Sequence, residues 1–280
     1  MENATKKGPK LMSEQHRVAI VTGASSGIGL AAARALSKNG YRVFGTSRKP
    51  ATDRDGIEML QCDVIDDVSV LNLISEVVRK AGRIDLLVNN AGSGLLGGAE
   101  ESSAAQVQAL FNVNFFGVVR MTNAVLPVMR RQGEGRIINL SSLLGRIPAP
   151  FNAFYSSTKH AIEGYSESLD HEIRKQGIRV LLVEPGFTRT SFEDSITNPD
   201  NLLSEYDLAR TTASDQMREG LEKGDAPEVV ANVIVKVANT TSPKLRYTAG
   251  KVASQVTFLR RYFPEIFFDK AIRRANKLPA

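Results

Sequence analysis

Thr22-Gly23-Ala24-Ser25-Ser26-Gly27-Ile28-Gly29 stands between the apolar run Val18–Thr22 and the helical pattern Ile28–Lys38. A strand, a glycine-rich turn and a helix start, in that order, make a phosphate site. Glycines let the backbone approach a pyrophosphate, and a helix N-terminus offers amide donors and the positive end of its dipole. The spacing is Gly-x-x-x-Gly-x-Gly rather than Gly-x-Gly-x-x-Gly, so the place of the turn after the first strand carries the reading. Dinucleotide binding is expected over a plain tight turn, with Gly23, Ser25, Ser26, Gly27, Ile28 and Gly29 as contacts.

Outward from this turn, strands and helices alternate. Tyr41–Thr46 reads as a strand, Val68–Ala81 as a helix and Ile84–Asn89 as a strand. Ala104–Leu126 has helical periodicity and is expected to stop near Pro127. Arg136–Leu140 and Ile178–Val183 are strands on either side of a long helix, Ala153–Gln176. Asp225-Ala226-Pro227-Glu228 looks like a capping box opening the helix Glu228–Ala238, and Leu245–Thr248 is a short last strand. Apolar strands separated by helices predict an α/β fold, a Rossmann-type doubly wound parallel sheet buried on both faces. With no linker or repeat, one domain is expected over 17–255, including a substrate cover at about 187–224. A flexible basic tail over 1–16 and a C-terminal helical extension over 256–280 flank it.

Composition narrows the function classes. The 280-residue chain, 42% hydrophobic and 24% charged, has ordinary globular composition. No apolar run approaches the roughly 18 residues of a membrane span. The N-terminus, with Lys6, Lys7 and Lys10, lacks the apolar core of a secretory signal. A single cysteine, Cys62, excludes an internal disulfide and fits a reducing compartment, so a cytoplasmic location is expected. The net charge of +6 is modest, basic residues are scattered and Trp is absent, which argues against nucleic acid. His16, His160 and His171 do not combine with Cys62 into a metal-ligand pattern, so no metal is expected.

The second strand ends in Thr46-Ser47-Arg48-Lys49. A carboxylate there would bind the ribose diol of NAD; Arg48, with Ser47, suits a 2′-phosphate instead. NADP(H) is therefore expected over NAD(H), the alternative being that Arg48 and Lys49 are solvated loop charges. Further on, Tyr155 and Lys159 are four residues apart, on one helical face one turn apart. A phenol titrates near a pKa of ~10, and a nearby ammonium lowers that value, so the pair is an acid/base candidate. Alone it is outweighed by a half-buried tyrosine beside a solvated lysine.

The motifs together resemble the short-chain dehydrogenase/reductases, over roughly Arg17 to Ala249. Thr22–Gly29 looks like the coenzyme loop of that family. Cys62-Asp63-Val64 matches its acidic residue after the third strand, which would place Asp63 and Val64 by the adenine. Asn89-Asn90-Ala91-Gly92 matches an element bordering the cofactor, adding Asn90, Ala91 and Gly92. Asn114 in Asn112-Val113-Asn114 matches the helix asparagine. Ser142 matches the catalytic serine because it stands thirteen residues before Tyr155. Pro185-Gly186-Phe187-Thr188-Arg189-Thr190 looks like the element that holds the nicotinamide carboxamide, with Thr188 the leading contact beside Pro185, Gly186 and Thr190. Within the family the chain is most similar to reductases resembling 17β-hydroxysteroid dehydrogenase.

The resemblance implies hydride transfer between NADP(H) and a carbonyl or secondary alcohol. Tyr155 would be the acid/base, Ser142 would bond the reacting oxygen, Lys159 would lower the tyrosine pKa and hold the ribose, and Asn114 would position a water. An NADP(H)-binding regulatory or scaffold protein without turnover is the alternative. The region 187–224 carries Phe192, Ile196, Leu202, Leu203, Tyr206 and Leu208, either an apolar lid for a steroid, retinoid or lipid-like substrate or an ordinary surface helix. In the tail, Phe268, Ile272 and Ala275 share a helical face among basic residues. Packing on the domain or a partner subunit is the expected use, and a membrane surface is the alternative. The family resemblance implies a homodimer or homotetramer.

Overall fold

Along the first strand, alternate residues are buried on opposite faces, and that alternation makes a three-layer molecule. The computed structural model describes residues 16–276; the expected tail, His16 excepted, and residues 277–280 lie outside them. The elements in order are β1 (Arg17–Val21), α1 (Gly27–Lys38), β2 (Tyr41–Ser47), β3 (Ile57–Gln61), α2 (Asp67–Ala81), β4 (Leu86–Asn89) and β5 (Gly94–Leu95). Then come α3 (Ala104–Phe111), α4 (Gly117–Gln132), β6 (Gly135–Leu140), α5 (Ala153–Ile173), β7 (Ile178–Pro185) and β8 (Ile196–Thr197). The chain ends with α6 (Asp207–Glu222), α7 (Pro227–Asn239), β9 (Arg246–Ala249), α8 (Lys251–Tyr262) and α9 (Glu265–Ala275).

Seven strands form a parallel sheet in the order β3-β2-β1-β4-β6-β7-β9. Ala19 and Val21 of β1 face a layer of α1 and α7, packed through Ala31, Ala32, Leu36, Val230 and Ile234. Val18 and Ile20 face the other layer, with Val70, Leu73 and Ile74 of α2 and Met121, Val125 and Met129 of α4. Small residues on α1 let it lie close to the sheet, which fixes where its N-terminus points. The strand order reverses between β1 and β4, and ligands of such sheets bind at the carboxyl ends beside that reversal. The phosphate turn, the Asn89–Gly92 element and the ends of β6 and β7 all fall there.

Three expectations are corrected. Pro127 does not end its helix: α4 continues to Gln132 and stops at Gly133, whose φ is 73°. Val128 and Met129 beyond the proline are buried, and their packing outweighs the hydrogen bond that the proline removes. Asp225 does not cap α7; its cap is Ala226, without a side-chain bond. Asp225 instead pairs its backbone with Phe187 and Arg189, one step too early to reach the helix amides. The extension begins at Lys251, before residue 256, because α8 follows directly on Gly250.

A continuous helical run, Ala104–Gln132, is long and apolar enough by composition to span a bilayer. Nearly half of its most apolar window is buried, and α4 packs Met121, Val125 and Met129 against the sheet, so it serves here as a core helix. Within it, Asn112–Phe116 widens into a π-turn, a feature often found at functional sites.

Candidate active site

The phosphate turn is held in shape by side chains of the neighbouring strand end. Thr22 Oγ1 accepts from the amides of Asn90 at 2.9 Å and Ala91 at 3.0 Å. Asn90 Nδ2 donates back to the carbonyls of Thr22 at 2.9 Å and Gly23 at 3.2 Å. Gly23 and Gly27 have φ of 65° and 54°, left-handed values that favour glycine. A Cβ on Gly29 would stand 2.2 Å from the Gly23 carbonyl oxygen and 2.4 Å from Asn90 Nδ2. Gly29 therefore does not line the cleft; it lets α1 start directly beneath the turn. Sequence reading missed Arg54, which donates to the Ser25 carbonyl and fixes the turn from outside. No local motif marks it, because the contact depends on the β2–β3 connection.

This turn opens into a cleft of about 1600 Å³. Drug-sized sites are ~300–1,000 Å³, so the cleft has room for a dinucleotide and a second molecule. All the expected cofactor contacts except Gly29 line it, from Ser25 and Ser26 through Arg48, Asp63 and Ala91 to Thr188 and Thr190. A glycine cradle at the N-terminus of α1, with Arg48 and no carboxylate at the end of β2, fits an anionic dinucleotide.

Ser142, Tyr155 and Lys159 meet at the inner end of this cleft. Ser142 lies beyond the carboxyl end of β6, where its Oγ also accepts from the Leu144 amide at 3.1 Å. Tyr155 and Lys159 come from the first two turns of α5. Phe192, from the chain covering the cleft, lies edge-on to the Tyr155 ring at 5.9 Å and shields it. Asn114 stands behind the cleft wall, buried in the π-turn. Its amide donates to the Ser93 carbonyl at 2.9 Å and to Thr158 Oγ1 at 3.2 Å, and its oxygen accepts from the Ser93 amide at 2.9 Å. In this arrangement Asn114 splints the chain after β4 to α5.

The expected effect of Lys159 on Tyr155 is corrected. Burial pushes the phenol up to about 12, and the hydroxyl of Ser142 pulls it back only in part. Burial pulls Lys159 down to about 8, opposed by the carboxylate of Glu163. Lys159 Nζ donates to the Leu140 carbonyl at 2.9 Å and lies 5.6 Å from the Tyr155 ring centroid. Desolvation is the largest influence on both groups. At neutral pH this site holds a neutral phenol, the form that can give a proton.

Below Lys159 lies a buried carboxylate pair, Glu163 on α5 and Glu184 on β7, with Arg246 Nε 2.9 Å from Glu163 and 3.6 Å from Glu184. Burial, then the charge of Glu163, pushes Glu184 up to about 7. A carboxyl raised in the folded state binds its proton there while the unfolded chain has lost it, so stability falls as pH rises from the ordinary carboxylate range to about 7. Glu184→Gln mimics the protonated form. It should raise stability on the order of 1–3 kcal/mol at about pH 8 and much less near about pH 5, read by thermal unfolding at both. An equal effect at both pH values would contradict the raised carboxyl.

The covering segment is tied to the body at several points. Its β8 pairs with β5, and Arg210 of α6 forms an ion pair with Glu101, whose side chain is fully buried. Of the residues expected in an apolar lid, Phe192 and Ile196 line the cleft. Leu202 and Leu208 are exposed, and Tyr206 bonds Glu100 through its hydroxyl at 2.6 Å. The apolar lining comes instead from Leu143, Leu144, Ile147, Phe187 and Met217, which sequence periodicity did not single out because they lie in turns and on a weakly amphipathic helix.

The fold and the cleft define a nucleotide-dependent oxidoreductase framework, and comparison makes it specific. The family model for short chain dehydrogenases matches residues 17–201, and the chain belongs to the short-chain dehydrogenase/reductase family. It is 36% identical over 263 residues to 3-ketodihydrosphingosine reductase of Bacteroides thetaiotaomicron, covering 92% of this chain and 97% of the relative. It is 37% identical over 260 residues to retinol dehydrogenase 8 of Bos taurus, covering 84% and 82%. A solved short-chain dehydrogenase from Streptomyces avermitilis superposes with a TM-score of 0.81 at 32% identity, covering 95% of this chain and 98% of that one. Similar solved structures include complexes with NADP and one with NAD. The chain is thus an oxidoreductase of this family with a Rossmann-type nucleotide-binding fold.

Proposed function

We propose that this oxidoreductase uses NADP(H) to interconvert a hydrophobic ketone or aldehyde and its alcohol, with Tyr155 as the proton donor in reduction. The observation that carries this reading is one cleft in which a phosphate turn, Arg48 and the Ser142–Tyr155–Lys159 group open onto an apolar wall. The turn and the start of α1 would hold the pyrophosphate, Ser47 and Arg48 the 2′-phosphate, and Thr188 the carboxamide. Bound there, NADP(H) supplies the hydride. Ser142 would donate to the substrate oxygen as negative charge develops on it. Tyr155 would then give that oxygen its proton, and the positive charge of Lys159 near the ring would stabilise the phenolate left behind.

The substrate class rests on the lining and on kinship. Leu143, Leu144, Ile147, Phe192 and Ile196 surround the inner cleft, and relatives are named for a ketosphingoid and a retinoid. The test is reduction of a homologous ketone series. Specificity should rise with each added methylene, at about 0.8 kcal/mol per buried group. A flat or falling series would oppose the apolar-substrate reading. For the cofactor, Arg48→Ala should raise KM for NADPH about tenfold or more and leave that for NADH nearly unchanged, as expected for loss of a charge-assisted contact. An unaltered NADPH/NADH ratio would remove the assignment.

A further inference from the structure

The α8–α9 hairpin presents two faces, and only one is covered. Ala253 and Phe268 are buried, Phe268 beneath the Arg260 guanidinium of α8, Ile272 is partly buried, and Ile272 and Ala275 line the catalytic cleft. The Ala275 carbonyl is held by Gln216 Nε2 of α6 at 3.1 Å. The expected packing face thus becomes a wall of the cleft. On the other side, seven of the fifteen exposed large apolar side chains among the described residues fall between Val252 and Phe267. They concentrate around the turn at Pro264: Phe258, Leu259, Tyr262, Phe263, Ile266 and Phe267, with exposures of 40–62%. The Phe258 and Tyr262 rings touch at a tilt of 47°, with centroids 4.8 Å apart.

Basic residues surround this apolar tip. The two helices carry Lys251, Arg260, Arg261, Lys270, Arg273 and Arg274 against only Glu265 and Asp269. Lys270 and Arg274 follow Ile266 and Phe267 along α9, and Arg274 lies seven residues beyond Phe267. At 1.5 Å per residue that is about 10 Å of helix. Interfacial helices place their apolar residues at the acyl boundary and lysine and arginine at the headgroups. The charge argues against a second copy as the occupant, because a two-fold contact would set this predominantly basic patch against itself.

We propose that the α8–α9 turn docks the protein on an anionic lipid bilayer, with the aromatic tip in the acyl boundary and the basic collar at the headgroups. The helix that docks is the helix that walls the cleft, so a lipid-like substrate would pass between bilayer and cleft along α9. That last point rests on the proposed substrate class; the docking itself does not.

The test is vesicle flotation of the full chain with phosphatidylcholine containing about one third phosphatidylserine, and with phosphatidylcholine alone. The chain should float with the anionic vesicles and bind the neutral ones several-fold less. The double variant Phe263→Asp, Phe267→Asp should lose flotation about tenfold or more. Lys270→Glu with Arg274→Glu should lose the preference for anionic lipid. Circular dichroism and NADPH binding should match the parent, and so should reduction of a water-soluble carbonyl, since none of these four residues lines the cleft. Failure of the parent chain to float, or equal flotation of the tip variant, would overturn the proposal. A dimer in sedimentation that the tip variant makes monomeric, with no flotation by either, would assign the patch to subunit contact. Loss of carbonyl reduction in the parent with flotation intact would instead count against the proposed reaction.

Discussion

Tyr155→Phe is expected to lower kcat for carbonyl reduction by about two to four orders of magnitude, the range that a positioned general acid contributes. NADPH affinity should stay within a few-fold, because the phosphate turn and Arg48 are untouched. The phenol is half-buried in the cleft wall, lies beside Ser142 and is shielded by Phe192. Its pKa, pushed up to about 12, keeps the proton in place through neutral pH, so the group is a donor waiting for an acceptor. Phenylalanine keeps the ring and its packing while removing that one proton. A variant that retained turnover would move the acid elsewhere, to Ser142 or Lys159, which line the same cleft.

Gly29→Ala should be nearly as damaging by a different route. The added methyl would meet the Gly23 carbonyl oxygen at 2.2 Å and Asn90 Nδ2 at 2.4 Å, distances that cannot be tolerated without moving the backbone. Moving Gly23 would disturb the two carbonyls that Asn90 holds and the turn those bonds shape. Overpacking of this kind costs typically ~1–3 kcal/mol in stability. The larger loss is in binding, because the amides at the start of α1 would no longer converge on one anion. NADPH affinity measured by calorimetry should fall about a hundredfold or more, with a lower Tm. A variant binding NADPH as tightly as the parent would mean that the turn does not hold the cofactor.

Much of this architecture was legible because the decisive signals are local. Strand, glycine turn and helix follow one another without a gap at residues 17–38, and the alternate burial of Val18, Ala19, Ile20 and Val21 makes both sheet faces apolar. Tyr155 and Lys159 could be placed on one helical face by spacing alone, and α5 begins two residues before Tyr155. What sequence could not give depends on contacts between distant segments. Pro127 looked like a stop, yet tertiary packing of Val128 and Met129 carries the helix through it. Arg54 reaches the phosphate turn only because β2 and β3 pair. The pKa directions needed burial, which periodicity does not report: proximity suggested that Lys159 would lower Tyr155, and desolvation does the opposite. The two faces of α9 were both present in the pattern, but only the fold tells which one walls the cleft and which one meets solvent.

The central claim is hydride transfer from NADPH to the carbonyl carbon of a hydrophobic substrate. NADPH carrying deuterium at the transferable position, incubated with the protein and a mixture of long-chain ketones, aldehydes and ketosteroids, tests it most directly by mass spectrometry of the alcohols formed. The account predicts one deuterium on the carbinol carbon of an apolar product, formed at least about a hundredfold more slowly when Tyr155→Phe replaces the parent. Saturable NADPH binding with no labelled alcohol from any substrate, or with label appearing equally in the Tyr155→Phe reaction, would contradict it.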